Sequence, residues 1–133
     1  MMRMIPTKMH AAMDYLVGIV LIISPWVFSF SDETTAGTWI AVLAGIAMIG
    51  MSAMTDYEGG LLTRAIPMRM HLMTDMVLGI FLAITPWLFG FADQGANAWL
   101  PFVVIGLGEI AAAAITDPEP GHARSRRQVH SAA

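Results

Sequence analysis

The sequence predicts an all-α membrane protein whose four transmembrane helices form two duplicated helical hairpins in parallel repeat. Three observations carry that reading. Hydrophobic residues make up 56% of the chain and charged residues only 13%, where a soluble domain carries about 25% charged. Four apolar stretches of 17 to 20 residues stand apart from polar connections. The first half of the chain reappears in the second at a fixed offset. With 133 residues, a water-soluble core would be too small to absorb so much apolar surface.

The apolar stretches are 11–30, 38–54, 72–91 and 98–115. At 1.5 Å rise per residue, roughly 20 residues cross a hydrocarbon core of ~30 Å. The first follows Arg3 and Lys8, but it is too long for a signal-peptide core, carries Asp14 and lacks a small-residue cleavage site, so it reads as a helix. Short polar turns are expected at 31–37 and 92–97, and a longer loop at 55–70 contains Gly59, Gly60 and Pro67. The expected organisation is a first hairpin over 1–60, a second over 61–117 and a disordered basic tail over 118–133.

All seven lysines and arginines, Arg3, Lys8, Arg64, Arg69, Arg124, Arg126 and Arg127, fall on the side holding both termini and the middle loop. The opposite turns carry Asp32, Glu33 and Asp93. The positive-inside bias then predicts cytoplasmic N- and C-termini. Trp26, Phe28, Phe30 and Trp39 flank one outer turn and Trp87, Phe89, Phe91 and Trp99 the other, as expected of an interfacial aromatic belt.

A shift of 61 positions superimposes Ile5-Pro6 on Ile66-Pro67, His10 on His71, Asp14 on Asp75, Gly18 on Gly79 and Thr55-Asp56 on Thr116-Asp117. Each copy crosses twice, so the copies are parallel and imply a pseudo-two-fold axis along the membrane normal. Within them, Ser24-Pro25-Trp26 falls on Thr85-Pro86-Trp87, late in the first helix of each unit. On these residues the chain resembles the SPW-repeat family of small prokaryotic membrane proteins. The resemblance implies a prokaryotic cytoplasmic-membrane protein built from such repeats and brings no activity or catalytic residue with it.

The motif has its own physics. Pro25 and Pro86 lack an N–H, so the carbonyls of Leu21 and Leu82 lose their helical partners and the last turn loosens. Ser24 and Thr85 have hydroxyls that can bond local carbonyls, while Trp26 and Trp87 anchor the bend at the interface or border a ligand site.

His10 and Asp14 are spaced i, i+4 and share a helix face, as do His71 and Asp75. Asp56 and Asp117, at the inner ends of the second and fourth helices, are expected at the same depth, with His10, His71, Lys8 and Arg69 as cationic partners. Such groups in a membrane face the bundle interior or water. The layer fits structural pairing, proton or cation handling, a Zn, Mn or Fe site at His10, Asp14, His71 and Asp75, or a haem between the histidines. No cofactor is predicted, because rim acids have basic side chains and water as alternatives. Glu109, opposite Met48 of the first copy, lies deeper, at the level expected for Gly18 and Gly79, and completes a possible proton relay of Asp14, Asp56, Asp75, Glu109 and Asp117.

Small residues Gly37, Ala41 and Gly45, and Gly108 with Ala112, allow close helix crossing within the chain, with a second copy or with another membrane protein. With no cysteine and neither a Ser/His/Asp constellation nor a phosphate-binding glycine loop, no catalytic residue is assigned. A net charge of −3 gives no case for nucleic acid. The expected function is a structural or accessory protein of the lipid bilayer, with proton or cation handling through the His/Asp layer and Glu109 as the alternative.

Overall fold

The structure is a computed structural model that describes residues 3–133. Its helices are α1 (Thr7–Val27), α2 (Thr35–Ala53), α3 (Met68–Leu88), α4 (Ala96–Ile115) and α5 (Gly121–Ser131). The first four are long and apolar enough to cross a membrane. The chain is a multi-pass membrane protein.

Helices α1 and α3 begin four residues before the expected spans, because a proline sets each start. Pro6 (φ −69°) and Pro67 (φ −62°) stand at the N-cap positions, and their carbonyls accept the N–H of His10 and His71 at 3.1 Å. Both histidines are thereby fixed in a first turn. Helix α2 starts early for a different reason: the hydroxyl of Thr34 accepts the N–H of Gly37 at 3.0 Å.

The helices pair as α1 with α2 and α3 with α4, with slighter contact between α2 and α3 and between α1 and α4. Glycines set the intimacy of each hairpin. A Cβ on Gly45 would lie 2.5 Å from the carbonyl oxygen of Gly18, and one on Gly106 would lie 2.5 Å from that of Gly79. Gly45 of α2 therefore serves contact inside the hairpin, Gly37 lies against Thr34 and against Phe91 of the other hairpin, and Gly79 admits the backbone of α4 at Gly106. Gly108 faces open space.

The proline bends end α1 and α3 in the same way. The carbonyl of Pro25 accepts the N–H groups of Phe30 and Ser31 at 2.9 and 3.0 Å, and that of Pro86 accepts Phe91 and Ala92 at 2.8 and 3.0 Å. Reversal needs one left-handed residue in each copy, Ser29 (φ +58°) and Gly90 (φ +75°). Ser24 donates to the Leu21 carbonyl that Pro25 orphans, at 2.8 Å. Thr85 instead donates to Phe81, at 2.7 Å. Trp26 and Trp87 point outward.

Toward the turns the interior is mainly apolar, built on Leu21, Leu82, Phe30, Phe91 and Phe102, and Met48 continues it toward the inner ends. Phe102 packs against both Phe91 and Phe30, with ring centroids 5.2 and 5.7 Å apart. Near the termini the interior is polar, while Leu16, Met73, Val77 and Leu107 face outward. This inversion of the soluble pattern is what a lipid solvent selects.

Segment 118–133 departs from the expected disorder, since most of it is α5. Pro120 caps the helix, the N–H of Gly121 bonds Glu58 at 2.9 Å, and Arg124 and Arg127 pair with Asp117 and Glu119. Composition alone hides this, because the helix buries nothing and is held by polar contacts.

Candidate functional site

Two isolated backbone pairings prepare the site. Ile5 pairs in parallel with Thr116, and Ile66 with Thr55. Since Ile66 and Thr116 are the repeat equivalents of Ile5 and Thr55, the start of each copy is bonded to the end of the other, closing the chain into a ring at the end that carries both termini. The N–H of Asp56 bonds the Ile66 carbonyl at 2.8 Å and that of Asp117 the Ile5 carbonyl at 3.0 Å.

Inside that ring, His10, Asp14, His71 and Asp75 converge, each at most 2% exposed. The Nε2 of His10 lies 2.9 Å from Asp75 Oδ2 and 3.2 Å from Asp14 Oδ1. The Nε2 of His71 lies 3.0 Å from Asp14 Oδ2 and 3.1 Å from Asp75 Oδ2. His10 and His71 thus each contact one carboxylate on their own helix and one on the other hairpin. The imidazole rings meet edge to face, with centroids 5.5 Å apart.

The other ring nitrogens fix the tautomer. His10 Nδ1 lies 2.9 Å from Thr116 Oγ1, and His71 Nδ1 lies 2.8 Å from Thr55 Oγ1. Each threonine hydroxyl has a single hydrogen. Thr116 donates it to the Ala112 carbonyl at 2.6 Å, and Thr55 to the Met51 carbonyl at 2.7 Å. The threonine oxygens therefore accept, Nδ1 carries the hydrogen on both rings, and both Nε2 atoms are directed at carboxylate oxygens. A contact of that kind needs a shared proton or a cation between the atoms, because two bare lone pairs repel.

The two carboxylates are not equivalent. Asp14 Oδ2 also accepts the hydroxyls of Ser52 at 2.9 Å and Tyr57 at 3.0 Å. The repeat equivalents of these donors are Ala113 and Pro118, so Asp75 has neither. Burial, reinforced by the charge of Asp14, pushes the Tyr57 phenol well above its ordinary value and keeps it a donor.

The expected single layer of four aspartates divides. Asp14 and Asp75 are interior, whereas Asp56 and Asp117 lie beyond the helix ends with partly exposed side chains. Asp56 faces Arg64 at 3.8 Å and His122 at 3.4 Å, and Asp117 pairs with Arg124. Lys8 and Arg69, expected as their partners, are in no ion pair among the described residues. Pairing the N–H groups of Asp56 and Asp117 to the next repeat turns their side chains outward, which separates them from the other relay candidates. Glu109 is buried, and its Oε2 has no hydrogen-bond partner among the described residues. Sequence reasoning missed Thr55, Thr116, Ser52 and Tyr57; the repeated Thr-Asp pair was the available signal for the threonines.

A porphyrin between the two histidines would have to displace both carboxylates, which disfavours haem. The atoms facing one another suit a small cation better: one ligand atom from each of the four residues lies within 4.8 Å of all the others.

A family model described as SPW repeat domain matches residues 8–116. The chain belongs to the SPW repeat family. The matched region runs from Lys8 through Thr116, so it includes all four tetrad residues and both threonines and leaves α5 outside. Among curated proteins and among solved structures nothing matches the chain. In this SPW repeat protein the Ser-Pro-Trp element and its Thr-Pro-Trp copy end α1 and α3 just before the turns, and the polar cluster sits at the opposite end.

Proposed function

We propose that this SPW repeat protein is a structural or accessory component of the cytoplasmic membrane, without substrate turnover, in which the His10/Asp14/His71/Asp75 cluster clasps two hairpins into one rigid unit. The observation that carries this reading is the reciprocal exchange of contacts, in which each histidine bonds the other hairpin's aspartate. Helix-to-helix contact between hairpins is slight beside that within them, so the docking falls on the buried side chains together with the backbone pairings at the helix ends. At the turn end a smaller clasp helps, as Asn97 Nδ2 donates to the Phe28 carbonyl at 3.1 Å and to Glu33 at 3.2 Å.

Proton or cation handling is the competing reading, and unpartnered Glu109 Oε2 favours it. Against it stands the mainly apolar interior of Leu21, Leu82, Phe30, Phe91 and Phe102, where the buried hydroxyls of Ser24 and Thr85 are committed to backbone carbonyls of their own helices. Proteoliposomes holding the purified chain are expected to show no more proton or cation flux than protein-free vesicles. Flux abolished by folded Asp14→Asn and Asp75→Asn variants would replace the clasp reading with the transport one.

Both termini are assigned to the cytoplasm from the distribution of Lys and Arg. Reporters fused at Asp32 and Asp93 should register outside, and at Gly60 and Ala133 inside. A cytoplasmic signal from either turn reverses the assignment.

A further inference from the structure

The tetrad has the architecture of a metal site as well as that of an ion-pair cluster, and the two differ in what lies between the Nε2 atoms and the carboxylates. Three features favour a metal. First, both Nδ1–H groups are committed to threonine oxygens that are themselves anchored on backbone carbonyls. This is the outer-shell arrangement that fixes a ligating imidazole, leaving the Nε2 lone pair free to bind. Second, the four Nε2 to carboxylate separations are 2.9, 3.2, 3.0 and 3.1 Å. A tetrahedron with metal–ligand bonds of about 2.0 Å has edges of roughly 3.3 Å; the N–O contacts are of that size, and one ligand atom from each of the four residues lies within 4.8 Å of all the others, so the four side chains surround a space that an ion closes by drawing opposite ligands together. Third, two neutral imidazoles and two carboxylates carry a charge of −2, which a divalent ion cancels in a site that water does not reach.

The donor set narrows the ion. Calcium and magnesium take six or more oxygen ligands, whereas two imidazoles with two carboxylates suit a divalent transition metal, zinc foremost in four-coordinate geometry. All four positions would be filled by protein, which marks a closed structural site rather than a catalytic one. Ser52 and Tyr57, both donating to Asp14, would hold that ligand in place.

We propose that His10 and His71, through Nε2, together with Asp14 and Asp75 bind one divalent transition-metal ion of the zinc type, which joins α1 of one repeat to α3 of the other. The proposal rests on the clasp reading and deepens it, and it departs from the sequence-based expectation of no cofactor because the sequence does not reveal the threonine-fixed tautomer.

The test uses the full chain, purified in detergent without a histidine tag and incubated with Zn2+ or Co2+ before removal of excess ion. Elemental mass spectrometry should find about one metal per chain, and the cobalt form should show the intense visible bands of tetrahedral coordination. The His10→Ala/His71→Ala double variant should lose the ion. Because that variant can also lose its fold, Thr55→Val/Thr116→Val serves as the milder probe; it keeps every ligand and should weaken binding 10- to 100-fold, roughly the cost of removing outer-shell partners. Folded wild-type protein that retains no more metal than a protein-free blank overturns the proposal, as does metal that persists in the double histidine variant. If metal is absent but the histidine variants still unfold more readily, the clasp reading survives alone. If those variants are as stable as wild type, the clasp reading fails instead.

Discussion

His10 Nε2 lies 2.9 Å from Asp75 Oδ2, although 65 residues separate them in the chain and the two belong to different repeats. The equivalent contact, His71 Nε2 to Asp14 Oδ2 at 3.0 Å, repeats it across the pseudo-two-fold axis. Two i, i+4 pairs that look self-sufficient on their own helices are thus bound to each other, and the ring of backbone pairings around them holds the four helix ends at one level. In a bilayer, where apolar burial gives helices little reason to associate, such polar contacts and close backbone packing remain the main sources of specificity.

Close packing makes a prediction with opposite outcomes on one helix. Gly106→Ala places a methyl 2.5 Å from the Gly79 carbonyl oxygen and also against the backbone of Ala83, so it should destabilise α3–α4 docking by about 1–3 kcal/mol. Gly108→Ala, two residues on and with nothing within 4 Å, should be neutral or stabilising by up to about 1 kcal/mol through helix propensity. Unfolding midpoints in denaturing detergent distinguish the two.

The turn motif predicts unequal costs for its two copies. Ser24 satisfies the carbonyl that Pro25 orphans, whereas Thr85 bonds Phe81 and leaves the Leu82 carbonyl to other means. Ser24→Ala should therefore cost about 1–3 kcal/mol, the penalty of an unpaired buried acceptor. Thr85→Val, which keeps the side-chain volume, should cost less. Equal losses in the same unfolding measurement would contradict the assigned role of Ser24.

The docking of α5 should depend on pH. Burial raises the Glu58 carboxyl, but hydrogen bonds from the Thr7 hydroxyl and from backbone N–H groups including that of Gly121, together with nearby His122, outweigh it and hold the group below its ordinary 4.5. A depressed carboxyl contributes in full above its unfolded value and loses that contribution as pH falls through the folded value. Spin labels at Leu61→Cys and Ser125→Cys, unambiguous in a chain without cysteine, should report a fixed distance at pH 7 and a broad one once pH drops well below 4.5. Glu58→Gln should broaden the distribution already at pH 7.

How much of this was legible in the sequence depends on which force placed each residue. Hydropathy located all four spans, because lipid reads composition directly; it missed the helix starts at Thr7 and Met68, where a proline and not an apolar residue decides. The duplication exposed the His/Asp pairs and their symmetry. It did not expose that Asp56 and Asp117 turn outward, since that follows from backbone pairing between the ends of different repeats. Nor did it reveal Ser52 and Tyr57, which have no counterpart in the second copy and so leave no mark in a repeat comparison. α5 was illegible because its stabilising contacts are polar and come from other segments.

If the tetrad couples the two hairpins, a double-mutant cycle on His10 and Asp75 measures that coupling. His10→Gln, Asp75→Asn and the double variant are compared with wild type by reversible unfolding in mixed detergent. The two losses should not add, and the coupling free energy across the repeats should be about 0.5–3 kcal/mol. Losses that add to within about 0.3–0.5 kcal/mol, the range found for independent sites, would contradict it.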